Sequence, residues 1–224
     1  MKINILTLFP EYFREALNTS MMRKAQKIRA LKIKIYNLRD FGIGPRKQVD
    51  DRPYGGGAGM ILRVDVMSKA LAKIKKENKN TRLILLTPKG RKFDQKEAKR
   101  LSKIENLTLI CGHYEGFDER IRDLIDEEIS IGDYILTGGE PAALVVVDAI
   151  VRLVPGVLKK EEAPEEESFS LKDDKGKPLF EYAHYTRPEI FKDRSVPKIL
   201  LKGNHQKIKE WREERAIEET KKRI

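Results

Sequence analysis

The chain is almost without cysteine. A single one, Cys111, stands among 224 residues, which excludes an internal disulfide and a multi-cysteine zinc site and fits a reducing cytoplasm. Cys111 lies inside an apolar run, where a thiol is more often a small buried hydrophobe than a nucleophile. Histidine is scarce as well. His113, His184 and His205 are far apart and show no metal-ligand spacing, so no metal site is expected from them. Long hydrophobic runs are missing. Pro141–Val154 is the longest, yet Asp148 and Arg152 interrupt it, and it is too short and too charged to span a bilayer. The apolar start at Met1–Leu8 is too short for a signal peptide and meets Pro10-Glu11 at once. A cytoplasmic protein with no membrane partner is expected. No internal repeat is visible. Both common phosphate loops are absent: no G-x-G-x-x-G follows a strand, and no G-x-x-x-x-G-K-[ST] occurs. A nucleotide-like ligand would need a different grip, and a dinucleotide oxidoreductase is disfavoured.

What the chain has in plenty is charge. Lys and Arg number 46 against 35 Asp and Glu, a net charge of +11. A basic excess of that size favours a polyanionic partner, with nucleic acid first. A solvated Lys/Glu surface of the heat-adapted kind would look similar, and charge alone does not choose between them. Hydrophobic residues make up 40%, enough for a core under that surface.

Periodicity divides the chain. Lys2–Leu8 reads as a strand, with Pro10 suited to the first turn of a helix. Leu31, Ile33 and Ile35 suggest a second strand with one buried face. Asp40–Gly59 is a long loop rich in Gly, Pro, Arg and Asp. Val66, Leu71 and Ile74 give Asp65–Lys76 a helical spacing. Arg82–Thr87 reads as a buried strand ended by Pro88 and Gly90. Asp94 with Glu97 resembles a capping box that opens a helix through Ile104. Leu107–Cys111 and the segment around Ile129 supply two more strands, with a helix near Asp118–Leu124 between them. Pro141–Leu153 is apolar nearly all round and should be buried. Strands alternating with helices imply a parallel sheet of the α/β class. Residues 1–158 form the main domain in this reading and 159–180 a charged, flexible linker. Residues 181–224 form a small α-helical unit with a thin apolar stripe of Ile208, Trp211 and Ile217, too thin to bury much area alone.

Two Gly-studded stretches, CGHYEGFDER at Cys111–Arg120 and SIGDYILTGGE at Ser130–Glu140, each follow a buried strand. Such strand ends are where open α/β sheets bind ligands. By themselves these glycines are as well read as turn formers. Together with LFPEYF (Leu8–Phe13), VDDRPYGGGAGMIL (Val49–Leu62), RLVPGVL (Arg152–Leu158), EESF (Glu166–Phe169), HYTRP (His184–Pro188) and LLKGNH (Leu200–His205), they resemble, in order and over almost the whole chain, the bacterial tRNA (guanine-N1)-methyltransferases. That family belongs to the knotted SPOUT methyltransferases.

The resemblance implies a deep trefoil knot within about Arg82–Leu153, S-adenosylmethionine as cofactor, tRNA as partner, and a homodimer. The active site would lie between one subunit's knot and the other's second domain. Thr87, Pro88, Gly112, Tyr114, Glu115, Gly116, Ile131, Gly132, Asp133, Tyr134, Ile135, Leu136, Gly138 and Gly139 would form the cofactor pocket. Tyr134 would cover it, and Glu115 would meet ribose hydroxyls or the cationic end of the cofactor. Asp118 reads as a helix cap. His113 stands where the family usually has Arg.

Guanine N1 keeps its proton at neutral pH, so methylation needs a base, and charge builds on O6. By resemblance Arg152 faces O6, although its plain role is to complement a helix C-terminus. The family's Asp before Ser-Phe is Glu167 here, a base with one more methylene. Glu166 and Asp173 are the alternatives, and without the resemblance Glu161–Glu167 would read as an ordinary acidic linker. Arg46, Arg52, Tyr54, Gly55, Gly56 and Gly57 suit a phosphate backbone or a flipped base. His184, Tyr185 and Arg187 suit stacking and phosphate contacts. His205 is assigned to tRNA by resemblance only, as is a need for Mg2+. The second domain ends early for the family, which implies weaker tRNA docking. A SPOUT enzyme with another RNA target and a non-catalytic tRNA-binding protein are the rival readings.

Overall fold

A computed structural model of the chain describes residues 1–159, 165 and 167–222. The chain forms two compact units, Met1–Lys159 and Lys160–Ile224.

In the first unit β1 (Lys2–Thr7) is followed by α1 (Ser20–Lys27), β2 (Lys32–Asn37), the short β3 (Asp50–Asp51) and β4 (Ile61–Leu62), and α2 (Val64–Glu77). Then come β5 (Arg82–Lys92), α3 (Gln95–Leu101), β6 (Asn106–Cys111), β7 (Glu127–Ser130) and α4 (Glu140–Val151). The main sheet is parallel, in the order β2-β1-β6-β5-β7. The inner strands β1 and β6 are covered on both faces and are buried at successive positions, whereas the edge strand β2 alternates exposed Lys with half-buried Ile. Successive side chains point to opposite faces. Ile84 and Leu86 accordingly join Ile3, Ile5, Leu107 and Leu109 against α4. Leu83 and Leu85 join Leu6 and Ile110 against Val66, Leu71 and Ile74 of α2.

Several local expectations changed in the structure. Pro10–Phe13 and Glu119–Leu124 are 3-10 turns rather than α-helices. Asp94 does cap α3, accepting from the Glu97 N–H at 2.8 Å. The helix nevertheless stops at Leu101, because Lys103 and Ile104 donate back three residues and tighten the turn. Pro88 and Gly90 do not end β5. Its pairing with β7 breaks between Leu86 and Arg91 and then resumes, and Ile129 is the register partner of both. Gly90 lies flat against β7, where a Cβ would stand 2.4 Å from the Ile129 nitrogen, so any side chain there would collide with backbone. α4 is not buried all round. Ala143, Val146, Val147 and Ile150 are buried, but Val145 is 48% exposed and Asp148 is open to solvent.

The second unit carries β8 (Ile190–Phe191), β9 (Arg194–Ser195), α5 (Lys198–Leu201) and α6 (His205–Lys221). β8 and β9 pair antiparallel, a hairpin that the helical reading missed. Within the stretch read as linker, Ser168–Leu171 turns back onto Leu179–Glu181 through three backbone-directed hydrogen bonds of 2.8–3.0 Å. The apolar core of the unit is Leu179, Tyr182 and Ala216, with Leu171 against it. The inner face of α6 runs through Arg212, Ala216 and Thr220, four residues apart, and the Arg212 guanidinium lies over the Tyr182 ring at 4.7 Å. Ile217, expected in the stripe, is 38% exposed.

Candidate functional site

The break in β5 after Leu86 and the loops that follow β6 and β7 line a cavity of about 490 Å³, within the range of small-molecule sites. Parallel strands bring their ends to one edge of the sheet, so loops far apart in sequence meet there. Every residue assigned to the cofactor lines this cavity except Asp133. Asp133 points to solvent and pairs with Lys92 Nζ at 3.0 Å.

The loops lock together through backbone. The Gly139 N–H donates to the Gly112 carbonyl at 2.8 Å. A Cβ at position 139 would sit 2.7 Å from the Gly112 nitrogen and 2.8 Å from the Cys111 Cα, so the approach requires glycine. Below them Glu140 opens α4. Its carboxylate is buried and accepts from Thr7 Oγ1 at 2.6 Å, which ties the start of α4 to the end of β1. Burial, with the Glu140 carboxylate adding to it, pushes the Cys111 thiol well up, so it stays protonated and inert. The Tyr134 ring lies over Gly132, its hydroxyl donates to the Ile131 carbonyl at 3.3 Å, and it is 54% exposed. Ile135 and Leu136 form an open apolar rim.

His113 also lines the cavity. Its ring stands 4.8 Å from Phe9 and 5.1 Å from Tyr114, and its Nδ1 accepts from the Tyr114 N–H at 3.0 Å. Tyr114 has φ +59°, a left-handed backbone. Lys89, Phe117 and Arg122 are further lining residues that the sequence reading did not single out. Phe117 lies in the first of its Gly-marked stretches, Lys89 stands between the Pro88 and Gly90 read there as the end of a strand, and Arg122 comes from the 3-10 turn. Asp118 also faces the cavity, but it behaves as expected of a cap. It accepts from the Arg120 N–H at 3.0 Å, and the Arg120 guanidinium holds its carboxyl below the usual range.

The loop bearing Tyr54, Gly55, Gly56 and Gly57 adjoins this cavity. The Glu115 N–H donates to the Met60 carbonyl at 3.0 Å, and a Cβ on Gly59 would meet the Glu115 side chain at 2.5 Å. Tyr54 is fully exposed, and the nearby Arg46 and Arg52 are exposed.

Arg152 does not join the cavity. It ends α4, whose first turn forms the cavity wall, so the 12 residues of that helix separate the two by about 18 Å at 1.5 Å per residue. Glu167 lies in the second unit, at the head of the Ser168–Leu171 turn, and Glu166 lies outside the described residues. Asp173 is engaged as a turn cap, accepting from the Lys175 and Lys177 N–H groups at 3.0 and 2.8 Å. His184 Nε2 sits 2.7 Å from Glu181 Oε1; Tyr185 and Arg187 are exposed, and His205 is the first residue of α6. Among the described residues no group of three or more His, Cys, Asp or Glu could hold a metal ion. No helix among them is long and apolar enough to cross a membrane.

A central parallel sheet with helices on both faces and a glycine-walled cavity defines an α/β protein whose cavity is of small-molecule size. Its sequence matches the model of the family described as tRNA (Guanine-1)-methyltransferase TrmD over residues 1–224. A tRNA (guanine-N(1)-)-methyltransferase of Carboxydothermus hydrogenoformans is 56% identical over 218 residues, 97% of this chain and 83% of that protein. Proteins of the same name from Geobacillus kaustophilus and Clostridioides difficile are each 50% identical; the matches cover 98% and 100% of this chain, and 88% and 95% of theirs. The chain belongs to the tRNA (guanine-N1)-methyltransferase family.

Proposed function

We propose that this chain transfers a methyl group from S-adenosylmethionine to N1 of the tRNA guanosine just 3′ of the anticodon. The family match over residues 1–224 carries the reading. The cavity supports it: backbone amides and carbonyls from Gly112 and Ile131–Leu136 suit a nucleoside edge, Tyr134 a ring face, and Glu115 a ribose or a cationic end. S-adenosylmethionine supplies the methyl group when bound there. Glu167 takes the N1 proton, and the Arg152 guanidinium stabilises the charge that develops on O6. Arg46, Arg52, Tyr54 and the 55–57 glycines on one unit, with His184, Tyr185, Arg187 and His205 on the other, hold the RNA. The net charge of +11 supports that partner.

The working form in this reading is a homodimer. In this reading the cavity of one copy and Arg152 of the other share one guanine, and the roughly 18 Å of α4 between the two within one chain supports that division. The open Val145 face on an otherwise apolar helix supports a second copy packed there. The trefoil knot enters through the family match. The domain division proposed from sequence, with 1–158 as catalytic domain and 181–224 as tRNA-binding domain, follows the same reading, as does a cytoplasmic location. Mg2+ enters by resemblance alone, and no step is assigned to it.

The test is tritium transfer from labelled S-adenosylmethionine to two tRNA transcripts, with guanosine or adenosine 3′ of the anticodon. Label on the first only is the expected result. Equal label on both moves the target, and no label on either, with folded protein and Mg2+ present, removes the activity.

A further inference from the structure

Glu167 does not stand on a loose tether. Its carbonyl accepts from the Ser170 and Leu171 N–H groups at 3.0 and 3.3 Å, so it heads a turn. Phe169 inside that turn has φ +69°, a conformation that a non-glycine residue keeps only when its surroundings impose it. The surroundings are the Leu179–Glu181 segment. The Phe169 N–H donates to the Leu179 carbonyl at 2.8 Å, and the Leu179 N–H donates to the Leu171 carbonyl at 2.8 Å. The Glu181 N–H donates to Ser168 Oγ at 3.0 Å, and the Phe169 and Phe180 rings meet edge to face at 5.2 Å. That segment is pinned in turn to α6. The Phe180 N–H donates to Thr220 Oγ1 at 2.8 Å, and the same hydroxyl donates to the Ala216 carbonyl at 2.8 Å. Thr220 is 7% exposed, so this is a buried relay that water does not replace.

We propose that Thr220 and Ser168 are positioning residues for the base: the Thr220 hydroxyl fixes Phe180 to α6, the Ser168 hydroxyl fixes the turn to Glu181, and together they hold the Glu167 carboxylate in register. This rests on Glu167 being the base. Few apolar side chains set the turn's place: among the described residues the cluster beside it is Leu179, Tyr182 and Ala216, with Leu171 against it. Hydrogen bonds, being directional, set its register instead. A helix assigned to tRNA binding then also sets where the base stands.

The experiment is single-turnover methyl transfer by the full chain with tRNA and S-adenosylmethionine, for Thr220→Val, Thr220→Ser, Ser168→Ala and Glu167→Gln. Displacing a reacting group by about an ångström can cost about 100-fold in rate. Thr220→Val is expected to slow transfer roughly 10- to 100-fold, with unchanged affinity for cofactor and tRNA. Thr220→Ser should restore the rate. The acid limb of the pH–rate profile should survive in Thr220→Val, since the base is still present, and vanish in Glu167→Gln. A folded Thr220→Val that transfers at the parent rate, a loss explained by weaker tRNA binding, or a failure of Thr220→Ser to rescue overturns the proposal. If Thr220→Val does not fold, Ser168→Ala decides on the same criteria. Parent-rate transfer by Glu167→Gln defeats the assignment of the base itself, an outcome distinct from the others.

Discussion

The first unit packs Ile3, Ile5, Leu107 and Leu109 against one layer of helices and Leu83, Leu85 and Ile110 against another. The second buries Leu179, Tyr182 and Ala216. Their sites differ accordingly. The cavity is set by backbone wedged against backbone at Gly112, just past the end of β6, and Gly139, at the start of α4. Glu167 is set by a handful of hydrogen bonds around a turn. A close-packed unit suits the binding of a small molecule to a shape that already exists. A lightly packed one can take its final arrangement when the RNA arrives, at the cost of depending on individual polar contacts.

The largest expected effect separates the two roles. Glu167→Gln should lower the methyl-transfer rate by about 10²- to 10⁴-fold, the usual contribution of a general base. Calorimetric binding of S-adenosylmethionine should be unaffected, because Glu167 lies in the other unit from the cavity. Arg152→Ala should also lower the rate, by about 10²- to 10³-fold, as loss of an oxyanion donor does. Mixing Glu167→Gln chains with chains whose cavity is blocked, as by Gly139→Leu, probes the dimer. Partial recovery of activity, from assemblies with one intact site, is expected of a shared active site; no recovery would count against it.

Next come the cores. Leu109→Ala in β6 leaves a cavity in a fully buried layer and should cost about 2–5 kcal/mol. Leu179→Ala removes the same atoms beside a thin core that can close over the gap, and should cost about 1–2 kcal/mol. Urea unfolding gives the totals. Hydrogen exchange should show that Leu179→Ala loosens only 167–222 while Leu109→Ala loosens the sheet. Equal costs would mean that the second unit is as tightly packed as the first.

Much of the first unit was legible because its signals are local. β1 and β6 follow apolar runs, β2 the alternation of Ile33 and Ile35, β7 the segment around Ile129, and α2 the spacing of Val66, Leu71 and Ile74. The cavity loops were marked by glycines at strand ends, and nearly every assigned position does line the cavity. What was missed is long-range. Pro88 reads as a stop, yet Arg91 pairs again because β7, which comes later in the chain, lies there to receive it. The open face of α4 carries Val145 beside Asp148, and Asp148 was the one sign in the sequence that this helix is not buried all round. In the second unit, pattern reading chose Ile217 and passed over Ala216 and Thr220, because it looks for large apolar residues where a small one and a hydroxyl do the packing. The turn that carries Glu167 looked like linker for the same reason: hydrogen bonds define it, and they leave no hydrophobic pattern.

A smaller effect should come from Gly139→Ala. The added methyl meets the Gly112 nitrogen at 2.7 Å, and backbone cannot swing aside as a side chain can. The loops must part by some tenths of an ångström, and overpacking of this kind typically costs about 1–3 kcal/mol. Cofactor affinity should fall by about tenfold or more. The pH–rate profile of saturated enzyme should keep its shape, since the base in the other unit is untouched. Unchanged affinity would show that these loops are less rigid than their geometry implies.

The smallest effect is electrostatic and confined to the first unit. Lys34 Nζ donates to Glu77 at 2.6 Å and the Tyr36 hydroxyl donates to it at 2.8 Å, with Lys73 close by. The Lys34 bond, then those of Tyr36 and Lys73, lower the Glu77 carboxyl from 4.5 to about 2. A depressed carboxyl contributes stability that is fully present above its unfolded value and lost as pH falls through its folded one. The window therefore runs from 4.5 down to about 2. The cluster is open to solvent and screened by salt, so the contribution is modest. Thermal melts of the parent and Glu77→Gln should differ slightly at neutral pH and at low salt, and the difference should close as the pH approaches 2. Amides of 167–222 should show no such pH-dependent difference between the two proteins. If they do, the stabilities of the two units are coupled, and the contrast between a rigid cavity and an adjustable base gives way to a single cooperative body.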